Sequence, residues 1–283
     1  MIPIKLTVIF PIRYRFVTRL EWPRAILHLD MDAFFVNVHI LENPDDKGVP
    51  LAVGGKPGQR GVIASASYEA RAKGVRSAMP SSKALKLCPE LKLVSSNRPM
   101  IRSCSTQVME ILSRYGTLER MSVDEAFVDL SLQKNPEALV KTILKRIKSK
   151  TGLPSSAGLA TSKLVAKIAS DFEKPEGFTV VVPGTESKFL APLEIRKMYG
   201  IGPKTASLLN GIGIEKCSDI VSIDIQKLQP LFGQYSVNLK NKAKGIDNRP
   251  VDPSPWIAKQ QGTETTFESV SYTHLTLPTN REV

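Results

Sequence analysis

The run Met121-Ser-Val-Asp-Glu-Ala-Phe-Val-Asp-Leu130 is apolar enough for a buried strand, yet it sets Asp124 beside Glu125. Neighbouring side chains of an ideal strand point to opposite faces, so both acids can serve one site only at a strand end, a bulge or a hairpin tip. Taken alone, the pair reads as one acid in a turn and the other in solvent. A third carboxylate changes that reading. In Ala25-Ile-Leu-His-Leu-Asp-Met-Asp-Ala-Phe-Phe35 a short buried strand from Ile26 to Leu29 breaks into polarity at Asp30, with Leu27 and Leu29 facing a core. Three carboxylates meeting at neighbouring strand ends would repel one another unless a divalent cation were bound, and hard oxygen ligands suit Mg²⁺. Two such ions about 4 Å apart are the known arrangement for in-line phosphoryl displacement. His28, on the same strand face as Asp30, reads as a buried, hydrogen-bonded histidine. Asp32 is a candidate fourth ligand, but its place one step into the following turn favours a group behind the ligands or a helix cap, and Asp129 reads as structural.

The elements that must position these acids follow from pattern. "NPDDKG" is a turn, "VPLAVGG" and "GVIASASY" are strands joined by "KPGQR", "YEARAKGV" is a helical turn ending at Gly74, and "SSKALKLC" is a short helix. In "NRPMIRSCSTQVMEILSRYG" the residues Ile101, Cys104, Val108, Ile111 and Leu112 recur at helical spacing, and Gly116 stops the helix. "NPEALVKTILKRIKSKTG" opens with Asn135 and Pro136 in cap and first-turn positions and closes at Gly152. Its Leu139, Val140, Ile143, Leu144 and Ile147 form one stripe. Lys141, Lys145, Arg146, Lys148 and Lys150 form a solvated cationic face. "PSSAGLA" is a strand, and "TSKLVAKIASDF" a helix capped by Thr161 or Ser162 with Lys167 as a surface charge. Past "GFTVVVPG", short helices with glycine punctuation suggest a separate helical domain up to about Asp247, followed by the Pro-rich linker "RPVDPSPW". The economical fold is an α+β body carrying a helical appendage.

Composition points to a partner. Lys+Arg 39 against Asp+Glu 27 gives a net charge of +12 and a pI near 9.6, which favours a polyanion, nucleic acid first and an anionic membrane second. The apolar piece "LTVIFPI" is far short of the roughly 20 residues a spanning helix needs, so no membrane span is expected. The first two dozen residues lack a signal-peptide pattern and read as an extension or over-long start, with a transit peptide as the lesser reading. Cys88, Cys104 and Cys217 stand far apart, which fits a reducing, cytoplasmic setting rather than a disulfide framework.

The motifs "LHLDMDAFF", "SASYEARAKGV", "MSVDEAFVDL", "AKIASDFEKPEG" and "GIGPKTASLL" occur in the order and approximate spacing of the Y-family translesion DNA polymerases, over about Arg24 to Phe267. The chain resembles the DNA polymerase IV branch of that family. The resemblance implies a right hand: a palm (25–33 and 98–181) with a mixed or antiparallel sheet, small fingers (34–97), a helical thumb (182–247) containing a helix-hairpin-helix, and a linker (248–258). It implies Asp30, Asp124 and Glu125 as catalytic acids holding two Mg²⁺ ions, with the Met31 backbone carbonyl as a further ligand. Phe35 matches the steric gate against a ribose 2′-hydroxyl, with Phe34 its neighbour beneath the nucleotide. Tyr68, Arg71 and Lys174 match the groups that grip the triphosphate. Gly200, Gly202, Lys204 and Thr205 match a hairpin whose amides receive a DNA phosphate.

The pattern breaks near the C-terminus. "GTETTFESV", within 259–270, resembles the first strand of a little-finger domain, and "SYTHLTLPTNREV" (271–283) resembles no part of one. The last stretch is expected to be an unrelated tail, disordered or adapter-derived, and synthesis to be weak and distributive without that domain. The implied activity is Mg²⁺-dependent, DNA-templated nucleotide transfer by a monomer, with primer-template DNA and dNTP as partners and a sliding clamp left open. Two other readings are carried beside it: a non-catalytic DNA-binding polymerase fragment, and a two-metal phosphodiesterase or nuclease, which the same acids permit.

Overall fold

The computed structural model describes residues 5–8, 21–55 and 61–255, with 260 and 262 as isolated positions. In chain order its elements are β1 (Lys5–Val8), β2 (Ile26–Met31), α1 (Phe34–Glu42), β3 (Leu51–Gly54), β4 (Ile63–Ala66), α2 (Tyr68–Ala72), α3 (Ser81–Leu87), β5 (Lys92–Val94), α4 (Arg98–Leu112), β6 (Thr117–Arg120) and β7 (Glu125–Asp129). There follow α5 (Pro136–Thr151), β8 (Ser155–Ala160), α6 (Lys163–Ser170), β9 (Gly177–Val180), α7 (Glu186–Leu190), α8 (Pro203–Asn210), α9 (Cys217–Ser222), α10 (Ile225–Phe232) and α11 (Tyr235–Ala243). Contacts divide the chain into a larger unit, Met1–Val49 with Ser96–Ser254, and a smaller one whose described part is built on Pro50–Ser95.

The larger unit holds a mixed sheet with, among the described residues, the order β1-β9-β8-β2-β7-β6. β2 lies inside it, antiparallel to both β7 and β8, and all six of its residues are buried. That placement explains why β2 is apolar on both faces up to Asp30, His28 apart. Alternation then sorts the faces. Leu27, Leu29, Ala126 and Val128 enter the core under α4 and α5, whereas Ile26 and Phe127 enter the core that α6 shares with the helices from α7 onward. Asp30 and Glu125, a directly paired couple in register, therefore stand on the α6 side.

α6 lies close to the sheet because residue 158 of β8 is glycine. A Cβ there would stand 2.1 Å from the Ala166 carbonyl oxygen and 2.5 Å from the Ser170 nitrogen. The caps at both ends of α5 are those the sequence expects: Asn135 accepts from the Ala138 N–H at 3.1 Å, and Gly152 ends the helix at φ 72°. Ser162, rather than Thr161, caps α6 through the Val165 N–H. Gly116 is a correction. α4 ends at Leu112, and Gly116 instead opens the way to β6, where a Cβ would lie 2.0 Å from the Asp129 carbonyl oxygen.

The smaller unit is a three-stranded sheet, β4-β3-β5, with β3–β4 antiparallel and β3–β5 parallel. β5 was not expected from the sequence. Its core with α2 and α3 is built largely of small side chains, among them Ala52, Ala66, Ala70 and Ala84 around Ile63. All three cysteines are buried and free. Among the described residues no helix is long and apolar enough to cross a membrane. Most of the 1–24 extension lies outside the described residues, although Lys5–Val8 pairs in parallel with β9 as an edge strand. The little-finger start and the tail, residues 259–283, lie outside them as well, save for positions 260 and 262.

Candidate active site

Asp30 ends β2 opposite Glu125, the first residue of β7. Asp124 precedes that strand in a bend, so strand alternation does not apply to it, and its carbonyl accepts the Met31 N–H at 3.0 Å. The three acids named from the sequence thus meet at one end of one strand pair. Met31 turns its side chain into the opposite core, which leaves its backbone on the Asp124 side.

Ser122 organises the bend. Its hydroxyl donates to Asp124 Oδ1 at 2.5 Å and accepts from the N–H groups of Asp124 and Glu125 at 3.2 and 3.0 Å. From α4, Ser105 donates to the Val123 carbonyl. The sequence reading missed Ser122, yet a serine two residues before an aspartate is a recognised local hydrogen-bonding pattern.

Each outer acid has a lysine counter-ion. Lys174 Nζ lies 2.7 Å from Asp30 Oδ2 and 2.7 Å from Asp171 Oδ1. Lys167 Nζ lies 2.6 Å from Glu125 Oε2. Lys167 is thereby a correction: it is not a surface charge, because α6 packs down on Gly158 and aims this residue at the strand end. Burial is the largest influence on Asp30 and pushes its carboxyl up to about 7; Lys174 opposes this, while Glu125 and Asp171 add to it. Burial would lower Lys174, but the Asp30 and Asp171 carboxylates outweigh it and hold the ammonium well above its usual value. The two shifts compete at one contact, and the 2.7 Å separation from an ammonium is that of an ionised Asp30.

Asp32 ties the loop that carries Lys174 to the end of β2. Its carboxylate accepts the Ser156 hydroxyl at 2.8 Å and the Glu176 N–H at 2.8 Å. The helix-cap alternative falls, since Ala33 is the N-cap of α1 and no side chain caps it. His28 is wholly buried and shares a 2.7 Å hydrogen bond between Nδ1 and Ser170 Oγ. Burial, then the charges of Lys167 and Lys174, hold it well below the usual histidine range. Asp129 bonds Ser131 and is structural, as expected.

Phe34 is 2 % exposed in the core under α4 and α5; Phe35 is partly buried against it, ring centroids 5.9 Å apart. Within the smaller unit the Arg71 guanidinium sits 4.9 Å from the centre of the Tyr68 ring and donates from Nε to the Ala66 carbonyl at 2.9 Å. Ahead of α8, Gly200 has φ 89° and Gly202 caps the helix with no side-chain bond to its first amides. Lys204 is exposed and Thr205 half-buried. A cleft of about 700 Å³ runs between α6 and the start of this hairpin, lined by residues that include Lys167, Asp171, Phe172, Arg196, Tyr199 and Gly200. It contains neither Lys204 nor Thr205.

The donor set suits a hard divalent ion: three carboxylates at one strand end, partly withdrawn from water, two of them already paired with ammonium groups. Among the described residues no three acid, histidine or cysteine side chains are closed into a cage as they stand. The lysines occupy the oxygens instead.

The model of the impB/mucB/samB family matches residues 29–171. That of the IMS family HHH motif matches 183–214. DNA polymerase IV of Clostridium perfringens (strain ATCC 13124) is 42 % identical over 249 residues, covering 86 % of this chain and 69 % of that relative. The chain belongs to the Y-family DNA polymerases. Solved structures agree. DinB from Sulfolobus solfataricus superposes with a TM-score of 0.75 at 33 % identity, covering 81 % of this chain and 69 % of that one. A Y-family polymerase chimera of Dbh and Dpo4 gives 0.76 at 32 %, with the same coverage. This Y-family member is a DNA-directed DNA polymerase of the translesion type, with the mixed α+β palm and helix-hairpin-helix of its family, and is metal-dependent as that family generally is.

Proposed function

We propose that this enzyme adds a deoxynucleotide from a dNTP to the 3′-hydroxyl of a primer paired with template DNA. The palm is assigned to 25–33 and 98–181, the fingers to 34–97, the thumb to 182–247 and the linker to 248–258. Two Mg²⁺ ions, held by Asp30, Asp124, Glu125 and the Met31 carbonyl, would supply charge neutralisation and a more acidic attacking hydroxyl. The observation that carries this reading is the register that sets Asp30 against Glu125 with Asp124 bonded to Met31 across the same strand end.

The chain's own residues supply the rest. Lys174, already beside Asp30, is placed to meet the triphosphate as a compact cation, and Tyr68 and Arg71 grip it from the fingers. Phe35 is the steric gate; with Phe34 sunk in the core, the sugar meets Phe35 alone. Ribonucleotide insertion by Phe35→Ala reads this role, and an unchanged sugar preference would remove it. Gly200, Gly202, Lys204 and Thr205 hold a DNA backbone phosphate at open helix amides. We assign the enzyme to the cytoplasm as a monomer, a setting that three buried free thiols support. A sliding clamp is the further partner to test, by co-elution.

Primer extension with single dNTPs is the experiment. Asp124→Ala or Glu125→Ala should abolish insertion, and full activity in both would refute the site. Template-independent degradation of DNA would favour the nuclease reading, and DNA binding without insertion the non-catalytic one.

A further inference from the structure

The two lysines at the acid cluster reach it differently. Lys174 comes from the loop after α6 and is shared between Asp30 and Asp171. Lys167 comes from within α6 and has one acid partner here, Glu125 Oε2 at 2.6 Å. The Lys167 side chain is only 14 % exposed, and its ammonium also lies 5.4 Å from the centre of the Tyr199 ring. α6 itself is seated closely on the sheet, with Ala166 and Ser170 over Gly158, and nearly all of its residues are buried. An ammonium and a divalent ion ask the same thing of a carboxylate oxygen, and one oxygen at this distance does not serve both. The lysine stem, by contrast, is flexible and lines the cleft beside Arg196 and Tyr199, so the charge can swing out without repacking the helix.

Resting on the reading of Glu125 as a metal ligand, we infer that Lys167 is a positioning residue that occupies the Glu125 carboxylate as a stand-in cation and must be displaced before a divalent ion binds there. In the ion-free enzyme it offsets the repulsion among Asp30, Asp124 and Glu125 and keeps the Glu125 oxygen where the ion will need it. The cost is a lower intrinsic affinity for the ion, since binding has to break a partly buried ion pair.

The test is Mn²⁺ titration of the full chain without DNA or nucleotide, read by the electron paramagnetic resonance signal of free Mn²⁺. Lys167→Met keeps the aliphatic stem and removes the charge; it should bind Mn²⁺ roughly three- to tenfold more tightly, the scale of one competing charge in a partly exposed pair. Lys167→Arg should return the affinity to within about twofold of wild type, the guanidinium standing in for the ammonium. The sign separates this role from a structural one, because damage to the site would weaken binding. If Lys167→Met does not fold, as judged by its thermal melt, Lys167→Gln takes its place. Unchanged or weaker Mn²⁺ binding by the neutral variant overturns the inference. Glu125→Gln tells the two failures apart: if it weakens Mn²⁺ binding the metal reading stands whatever Lys167 does, and if it titrates as wild type the metal reading of Glu125 fails first.

Discussion

The end of β2 and the start of α8 belong to the same unit and are built in opposite ways. At the strand end, charge sits on side chains that packing has withdrawn from water: Asp30 is 9 % exposed, and Lys167 from α6 and Lys174 from the loop after it hold Glu125 and Asp30. At the hairpin the groups proposed to work are backbone amides, with Gly200 and Gly202 lying exposed and no carboxylate among the four residues of the motif. The first arrangement makes electrostatics strong and position exacting, as chemistry on a triphosphate requires. The second makes a modest grip that one phosphate resembles as well as another, as a polymerase moving along any sequence requires. Substitutions at the strand end should therefore be costly and specific, and those at the hairpin mild and general.

Three variants probe that contrast, from large to small. Gly158→Ala forces a methyl into the backbone of α6 and should lower stability by about 3 kcal/mol, the upper range for overpacking; a denaturant melt within about 0.5 kcal/mol of wild type would mean that α6 is not seated as described. Ser122→Ala removes the hydroxyl that orders the Asp124–Glu125 bend. Turnover should fall by about tenfold, the worth of one charged hydrogen bond, with little change in nucleotide KM. An equal loss in KM alone would assign Ser122 to binding. Lys204→Ala should weaken primer-template binding about threefold and reduce the salt slope by roughly one, leaving insertion at saturating DNA unaltered. An effect on the chemical step would erase the distinction between the two regions.

The two regions also differed in how far the sequence revealed them. The hairpin is local: Gly-Ile-Gly-Pro before an apolar helix is readable within a dozen residues, and α8 starts at Pro203 as such a pattern demands. The strand end is not local. The apolar run of β2 and its break at Asp30 are legible, but the pairing of Asp30 with Glu125 joins segments that periodicity cannot align; the strand-end argument brought the three acids together only in outline, and the family resemblance gave them their roles. Lys167 was misread for a physical reason. α6 is buried around nearly all its circumference, with Lys163 itself 6 % exposed and paired with Glu119, so no solvated face exists for a lysine to occupy. A lysine amid Leu164, Val165, Ala166 and Ile168 asks for a buried acid. Gly116 misled in the other direction, since a glycine after a helix resembles a stop signal although its need here is close approach to Asp129.

The central claim is that the side chains of Asp30, Asp124 and Glu125 exchange their present partners for divalent ions when substrate binds. Anomalous scattering from crystals of the enzyme with primer-template DNA, a non-hydrolysable dNTP and Mn²⁺ addresses it directly. Manganese peaks in contact with all three carboxylates, with Lys167 moved off Glu125, are the expected result. Ordered manganese elsewhere on the nucleotide, with Glu125 still on Lys167 and Asp30 still on Lys174, would contradict it.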